Sequence, residues 1–234
     1  MTSWKLSKNW SILRESSSGD LVCYVRQGHF NTIDGIILAK DTVENAIKAA
    51  SNDQDPQEVL HEKGEAIISL NKPDDPCNGA MEVKKVAVAK HQKGDLAYGL
   101  GYWLSRTGSL VPDRSAVTNK AANAWLNQAE KGTSSKLDDV DDPRNNDPND
   151  DCQLWWGDDS GRLNRLNVRD QHDLPLKYAD ALNRSYERSP RHDYNSMINL
   201  GKSLFDDVSD DIKSDVMGAV WQEFDNLFNS RMSE

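Results

Sequence analysis

Long apolar runs are absent from this chain of 234 residues. No stretch approaches the roughly 18 apolar residues that a membrane-spanning helix needs, and we expect no secretory signal because no basic segment precedes an apolar one. Cysteine is also scarce. The chain has 3 cysteines, which are widely spaced and form no CxxC pair. Scattered thiols in odd number indicate a reducing compartment and no metal site. We therefore expect a cytoplasmic protein that does not bind membranes.

Positive charge is in short supply. Lys and Arg number 28 against 38 Asp and Glu, which leaves a formal net charge of −10. Phosphate backbones attract positive fields, so this balance argues against direct binding of nucleic acid. The acidity is concentrated, because nine aspartates lie within 138–159 beside one basic residue, Arg144. Their order lacks the pattern of an EF-hand loop, so we predict a solvated irregular loop.

What the chain does contain is an alternation of strand and helix patterns. Short β-branched runs predict strands at 21–25, 33–39, 65–70, 81–89 and 109–111. Helical spacing of apolar residues predicts helices that begin at Asp41, at Asp95 and at 118 or 119. Asp41 and Glu44 have the spacing of a capping box. The pattern predicts an α/β (α+β) fold with helices packed on a mixed sheet.

The strand at 81–89 has the strongest apolar pattern. Strict alternation would place Met81 and Val83 on one face and Val86 and Val88 on the other. The second half of this strand is apolar on both faces, which is typical of a central strand covered on both sides.

Composition divides the chain into three parts. We expect the α/β domain over 1–132, an Asp-rich irregular extension over 133–205 and a C-terminal amphipathic helix over 206–234. Trp125 lies on an apolar helix face and is predicted to be core. The apolar stripe of the C-terminal helix would either pack on its own domain or dock on a partner, as a homodimer or against a virion or host protein; it includes Phe224, Leu227 and Phe228.

The unit with the most chemical content is the strand at 81–89, the loop after it and the helix that Asp95 opens. Free N–H groups at a helix start bind phosphate, glycine permits close approach and lysine adds charge. Lys93 and Gly94 stand at this point, so the unit is a candidate diphosphate cradle. Alternatively, Gly94 only turns the chain from strand to helix.

This order of elements resembles motif A of the GNAT acetyltransferase superfamily, in which the fourth strand and the following helix hold acetyl-CoA. Over about 80–180 the chain is similar to GNAT-like proteins encoded mainly by bacteriophages. The shared features are Lys93-Gly94, Asp113-Arg114-Ser115-Ala116-Val117, Trp125, Leu137-Asp138-Asp139 and Asp150-Asp151-Cys152. The chain departs from the superfamily pattern at His91 and at Leu96, where Arg or Gln and a small residue are usual.

The resemblance implies an enzyme that moves an acetyl group from acetyl-CoA to an unknown amine acceptor, in the host cytoplasm if it is phage-encoded. It also implies a GNAT-like central mixed sheet flanked by helices. The cofactor would be held by Val86, Ala87, Val88, Lys93, Gly94, Asp95, Leu96 and Ala97. The candidates for acid–base or donor roles are Glu82, Asp113 and Ser115. As structural alternatives, Asp113 would pair with Arg114 and Ser115 would cap a helix.

Two further hypotheses stay open. Many superfamily members use a tyrosine after the fifth strand as general acid, whereas this chain has no tyrosine between Tyr102 and Tyr178. The alternative is therefore a non-catalytic interaction or virion-associated protein with the same fold. A third hypothesis is an acidic decoy that imitates DNA, although the aspartates cluster in one segment instead of lining the chain.

Overall fold

Seven strands and the helices packed on both of their faces make up the computed structural model. The structure describes residues 20–28, 31–71, 80–90, 92, 95–105, 108–113, 118–131, 133–136, 178–182, 184–188 and 190–230. The Asp-rich segment 138–159 lies outside these residues. No helix in the described part of the chain is both long enough and apolar enough to cross a membrane.

The elements follow the predicted order closely in the first half of the chain. They are β1 (Leu21–Gln27), β2 (Thr32–Ala39), α1 (Lys40–Ser51), α2 (Pro56–Leu60), β3 (Gly64–Asn71), β4 (Met81–Val88), α3 (Asp95–Leu104), β5 (Ser109–Pro112), α4 (Asn119–Lys131), β6 (Thr133–Lys136), α5 (Ala179–Leu182), β7 (Arg184–Glu187), α6 (Tyr194–Ser203) and α7 (Asp210–Ser230). The mixed α/β fold class is confirmed.

The sheet has the order β1-β2-β3-β4-β5-β7-β6. The pairs β1–β2, β2–β3, β3–β4, β5–β7 and β6–β7 are antiparallel, and β4–β5 is parallel. The prediction of an irregular extension over 133–205 is wrong for its described parts, because β6 and β7 complete the sheet and α6 packs against β1. The short polar strands Thr133–Lys136 and Arg184–Glu187 carry little apolar pattern, so the sequence did not reveal them.

Two hydrophobic clusters lie on opposite faces of the sheet. One packs α3, α4 and α6 against strand residues that include Ile68, Leu70 and Leu110. It contains Trp125, which is buried as predicted, with its ring 5.3 Å from that of Tyr98 and 5.0 Å from that of Tyr186. The other cluster packs α1, α2 and α7 against β1, β2 and β3. The sheet is therefore covered on both faces, as its apolar central strands require.

Helix α3 lies very close to the sheet. A Cβ placed on Gly101 would come within 2.6 Å of Ile68 Cδ1 and 3.0 Å of Leu110 Cδ1, so those two side chains would have to move to accommodate it. A glycine at this position lets the helix rest directly on β3 and β5. Helix α3 is therefore packed closely on the two strands that flank β4.

The capping interpretation of Asp41 is wrong. Helix α1 begins at Lys40 with Ala39 as its N-cap, without a side-chain hydrogen bond, and Asp41 lies in the first turn. There its negative charge still interacts favourably with the N-terminal end of the helix dipole. At α4 the cap is Thr118, whose Oγ1 accepts a hydrogen bond from the backbone N–H of Ala121 at 3.1 Å.

Helix α7 is part of the core and not an appendage. Val216, Val220, Phe224 and Leu227 are buried against the sheet and α1 and α2, which is one of the two outcomes expected from its stripe. Phe224 and Leu227 are thus covered by the chain itself, and the side chain of Phe228 is outside the described residues.

A cationic contact adds to this packing. The Arg26 guanidinium lies 4.4 Å above the Trp221 ring and donates to Asp34 at 3.2 Å and to Asp225 at 3.3 Å. Asp34 is itself buried and accepts from the Ser69 hydroxyl at 2.6 Å. One side chain on β1 therefore links α7 to β2, and Asp34 links it on to β3.

Removing the Phe224 ring tests the core role of α7. Phe224→Ala should lower the free energy of unfolding by about 3–5 kcal/mol, because it leaves a cavity between α7 and the sheet. Gln222→Ala, at an exposed position of the same helix, should change it by no more than about 0.5 kcal/mol. Urea denaturation measures both, and a similar small loss for the two variants would contradict this packing.

Glu223 gives α7 a pH-dependent contact. Its side chain is fully buried, Oε1 accepts from the backbone N–H of Gly64 at 3.2 Å, and Oε2 has no hydrogen-bond partner. Burial raises the pKa of Glu223 above its ordinary value, although the backbone N–H groups of 62–64 and His61 oppose the rise. The folded protein therefore binds this proton more tightly than the unfolded chain does.

We expect the stability of the native protein to fall relative to Glu223→Gln as pH rises. The loss should begin near pH ~4.3, the ordinary carboxyl value, and continue through the raised pKa. The amide cannot ionise and removes this dependence. Thermal unfolding of both proteins from about pH 4 to 7 measures the difference. A difference that stays constant over this range would contradict the burial of an ionisable carboxyl here.

Candidate functional site

The strands β4 and β5 form a fork. They pair in parallel over three residues of each strand, with Met81 opposite Leu110 and Val83 opposite Pro112. Strand β4 then continues to Val88 while β5 ends at Pro112. Within the described residues, the second half of β4 therefore has β3 as its neighbour on one side and no paired strand on the other.

An extra residue in β4 lies where the two strands part. Val83 pairs with Leu70 of β3, but the next pair is Lys85 with Ser69, so Lys84 is inserted between them. Such an insertion is a β-bulge, which bends and twists its strand. The bulge therefore lies at the point where the described β4–β5 pairing ends.

The bulge also changes which side chains share a face of β4. Val86 and Val88 pack against the cluster that contains Met81 and Val83, while Ala87 packs against the opposite cluster. The expectation of strict alternation is thus wrong for the second half of the strand. One inserted residue moves every later side chain to the other face.

The backbone of Val86 points into the fork. Ala89 donates its N–H to the carbonyl of Glu65 at 2.9 Å, and the register places Ala87 opposite Ile67. In an antiparallel pair the bonded residues alternate, so the N–H and C=O of Val86 are directed away from β3. They face the side on which β5 has ended, where an extended ligand could form strand-like hydrogen bonds.

Three charged side chains meet at the base of the fork. The Lys84 ammonium lies 2.9 Å from Glu82 Oε1 and 3.0 Å from Asp113 Oδ1. Glu82 is buried, and the side chains of Asp113 and Lys84 are 18% and 24% exposed. Burial lowers the pKa of Lys84, but the hydrogen bonds and charges of Glu82 and Asp113 outweigh burial and raise it. The lysine therefore stays protonated at neutral pH.

The structure thus brings together two of the three predicted acid–base candidates. Glu82 reaches the cluster from β4 and Asp113 from the residue after β5, because the parallel register places Glu82 opposite Val111, two residues before Asp113. The predicted partner of Asp113 was Arg114, which is outside the described residues, as is Ser115. The partner found here is Lys84.

The start of α3 is the second part of the site. Asp95 in its first turn is paired with Arg188, at 2.9 Å, and with Arg191, at 3.1 Å. Burial lowers the pKa of His192, with Arg191 acting in the same direction and Asp95 against it, so the imidazole is neutral at neutral pH. Two arginines against one carboxylate leave this helix start with a positive local charge, to which the helix dipole adds.

Burial removes the side chains of two predicted cofactor-binding residues from contact with a ligand. The side chains of Leu96 and Ala97 are buried in the core, and the Leu96 carbonyl accepts from the Tyr194 hydroxyl at 2.8 Å. Only their backbone N–H groups in the first helical turn can face a ligand. Lys93 and Gly94 are outside the described residues.

Three residues of the site were not singled out from the sequence. Lys84 lies two residues after Glu82, so the pairing of these two side chains could have been predicted from the sequence. Its contact with Asp113 could not, because that contact depends on the bulge. Arg188 and Arg191 are some 93–96 residues from Asp95 along the chain. Nothing local marks them as its partners, because the contact arises only when the segment between β7 and α6 lies beside the start of α3.

Comparisons with known proteins add no assignment to this geometry. No protein-family model matches the chain, and neither a curated protein nor a solved structure matches it at a significant level.

Proposed function

We propose that this protein is an acetyl-CoA-dependent N-acetyltransferase of the GNAT type, related to the phage-encoded group that its sequence resembles. The fork between β4 and β5, followed directly by the start of α3, carries this proposal. Coenzyme A joins an amide-bearing arm to a diphosphate, and the fork and the helix start offer partners for those two parts in that order along the chain.

The arm of the cofactor would lie along the side of β4 that faces away from β3. Its amides would exchange hydrogen bonds with the N–H and C=O of Val86, which point to that side. The side chains of Val86 and Val88 are apolar and partly buried, so a ligand bound beside them would be shielded from water. This arrangement supports Val86 as a cofactor contact through its backbone, whereas the backbone of Ala87 is directed to β3.

The diphosphate would lie at the start of α3. Backbone N–H groups of 95–97 have no partner inside the helix, and a helix start favours negative charge. Asp95 would oppose an anion, but Arg188 and Arg191 neutralise its carboxylate. The net positive balance therefore supports phosphate binding.

Acetyl transfer would occur at the base of the fork. Glu82 or Asp113 accepts a proton from the acceptor amine, whose nitrogen then attacks the thioester carbonyl. The tetrahedral intermediate collapses, the C–S bond breaks, and coenzyme A leaves as a thiol after taking up a proton. The products are the N-acetylated acceptor and free coenzyme A. Positioning of the two reactants supplies much of the acceleration.

Ligand binding gives the direct test. Acetyl-CoA at millimolar concentration should raise the melting temperature of the native protein, because it binds only the folded state. Gly94→Glu should abolish the shift by placing bulk and negative charge at the diphosphate. Gly218→Glu, the same substitution at an exposed position of α7, should keep it. No shift in the native protein would overturn the proposal.

Arg191 tests the phosphate site separately. Its side chain is 65% exposed, so Arg191→Met should leave the fold intact. We expect the affinity for acetyl-CoA to fall by roughly tenfold, the effect of ~1.4 kcal/mol, with a similar loss for coenzyme A itself. Isothermal titration measures both ligands. Unchanged affinity would place the phosphates elsewhere.

The second candidate is a non-catalytic protein with this fold. The missing tyrosine between Tyr102 and Tyr178 favours it, because no phenol from that stretch can act as general acid. Native mass spectrometry of the purified protein, followed by a coenzyme A release assay with a panel of primary amines, separates the two. Bound coenzyme A without turnover on any amine would favour the non-catalytic form.

A further inference from the structure

The turn that leads from β4 towards α3 is hydrogen-bonded to the start of β3 at both of its ends. At the first end, the backbone N–H of Ala89 donates to the carbonyl of Glu65 at 2.9 Å. At the second end, Nε2 of Gln92 donates to Oε2 of Glu65, also at 2.9 Å. The backbone N–H of Gln92 closes the turn by donating to the Ala89 carbonyl at 2.9 Å. A single residue of β3 therefore accepts a hydrogen bond from each end of the turn.

These bonds lie on the side of β4 that is opposite the fork. Glu65 belongs to β3, which is the neighbour of β4 on one side, whereas β5 is its neighbour on the other. The backbone N–H and C=O of Val86 are directed away from β3. The bond to Glu65 therefore draws Gln92 away from the side on which the arm of the cofactor would lie.

The same bond limits where α3 can begin. Two residues separate Gln92 from Asp95, which is the first residue of α3. Three peptide links span roughly 11 Å at most, so the position of Gln92 restricts the position of the helix start. The Gln92 side chain is partly buried, and the bond to Glu65 is its contact among the described residues. This contact therefore helps to place the start of α3 relative to β4.

We propose that Gln92 is a positioning residue for the cofactor, which acts through Glu65 to set the distance between the Val86 backbone and the start of α3. This inference rests on the proposed function, which assigns the arm and the diphosphate of coenzyme A to those two places. A connection that is ordered before binding reduces the entropy lost when one ligand occupies both. Gln92 acts through its bond to Glu65 and not by contact with the cofactor.

The hydrogen bond can be tested without a ligand. Gln92→Met keeps a side chain of similar length that cannot donate to Glu65. The backbone amide of residue 92 should exchange its hydrogen about tenfold faster in this variant than in the native protein, because the turn opens more often. Gln222→Met, at an exposed position of α7, is the control and should leave the rate unchanged. An unchanged rate in Gln92→Met overturns the proposal.

Two ligands test the positioning role. S-acetylpantetheine has the arm of acetyl-CoA but lacks the diphosphate, so it needs one of the two places and not the distance between them. By NMR titration, Gln92→Met should weaken the binding of coenzyme A roughly tenfold and that of S-acetylpantetheine by less than about twofold. An equal loss for both ligands would indicate general damage to the fold and contradict the proposal. If Gln92→Met does not fold, as judged by thermal unfolding, Gln92→Ala takes its place.

A double-mutant cycle tests the partner of Gln92. Glu65 takes part in further interactions, and their contribution cancels when Gln92→Met is compared in the native and the Glu65→Ala backgrounds. The affinity for coenzyme A should fall roughly tenfold in the native background and less than about twofold in Glu65→Ala. The same loss in both backgrounds would mean that Gln92 acts without Glu65, and the proposal would be wrong.

The positioning role and the proposed function fail in different ways. If the native protein and Gln92→Met bind coenzyme A equally well, the positioning role is overturned and the proposed function stands. If the native protein does not bind coenzyme A, the proposed function is overturned together with the role of Gln92 towards the cofactor. The exchange rate of residue 92 then reports on the hydrogen bond to Glu65 alone.

Discussion

The residue that β4 inserts at Lys84 determines how the two halves of the sheet meet. On its N-terminal side, β4 pairs with both β3 and β5, and on its C-terminal side it pairs with β3. The insertion bends the strand and changes the face of every residue after it. The opening between β4 and β5, the direction of the Val86 backbone and the meeting of Glu82, Lys84 and Asp113 all depend on this one local irregularity.

A site of this kind needs a rigid support. The sheet is buried on both faces, and α7 closes one of them through Phe224 and its neighbours. The Arg26 contacts with Trp221, Asp34 and Asp225 tie that helix to the first strands. On the other face, Gly101 brings α3 onto β3 and β5. The fork and the helix start thus belong to one packed body, so that a ligand held by both would be fixed in position.

The sequence predicts the fold more completely than it predicts the candidate site. β1 to β5 and the helices α1 and α3 have clear apolar periods, because each buries a face of its own, and their positions were predicted to within a few residues, whereas the short helix α2 was not predicted. The polar strands β6 and β7 were missed because they lack that period. Glu82 and Asp113 could be named as candidates, since each stands on or just beyond a predicted strand. The contact of Lys84 with Asp113 could not be predicted, because a bulge has no marker in this sequence.

The class of fold, the burial of Trp125 and the amphipathic nature of the last helix could all be predicted from the sequence alone. These properties follow from residue type and spacing, which act over a few turns or one strand. The folded chain was needed to show that α7 covers its own sheet, that Arg188 and Arg191 neutralise Asp95, and that one lysine joins two carboxylates across the fork. Those contacts join residues distant along the chain or separated by a register shift, and their geometry is set by packing and strand pairing.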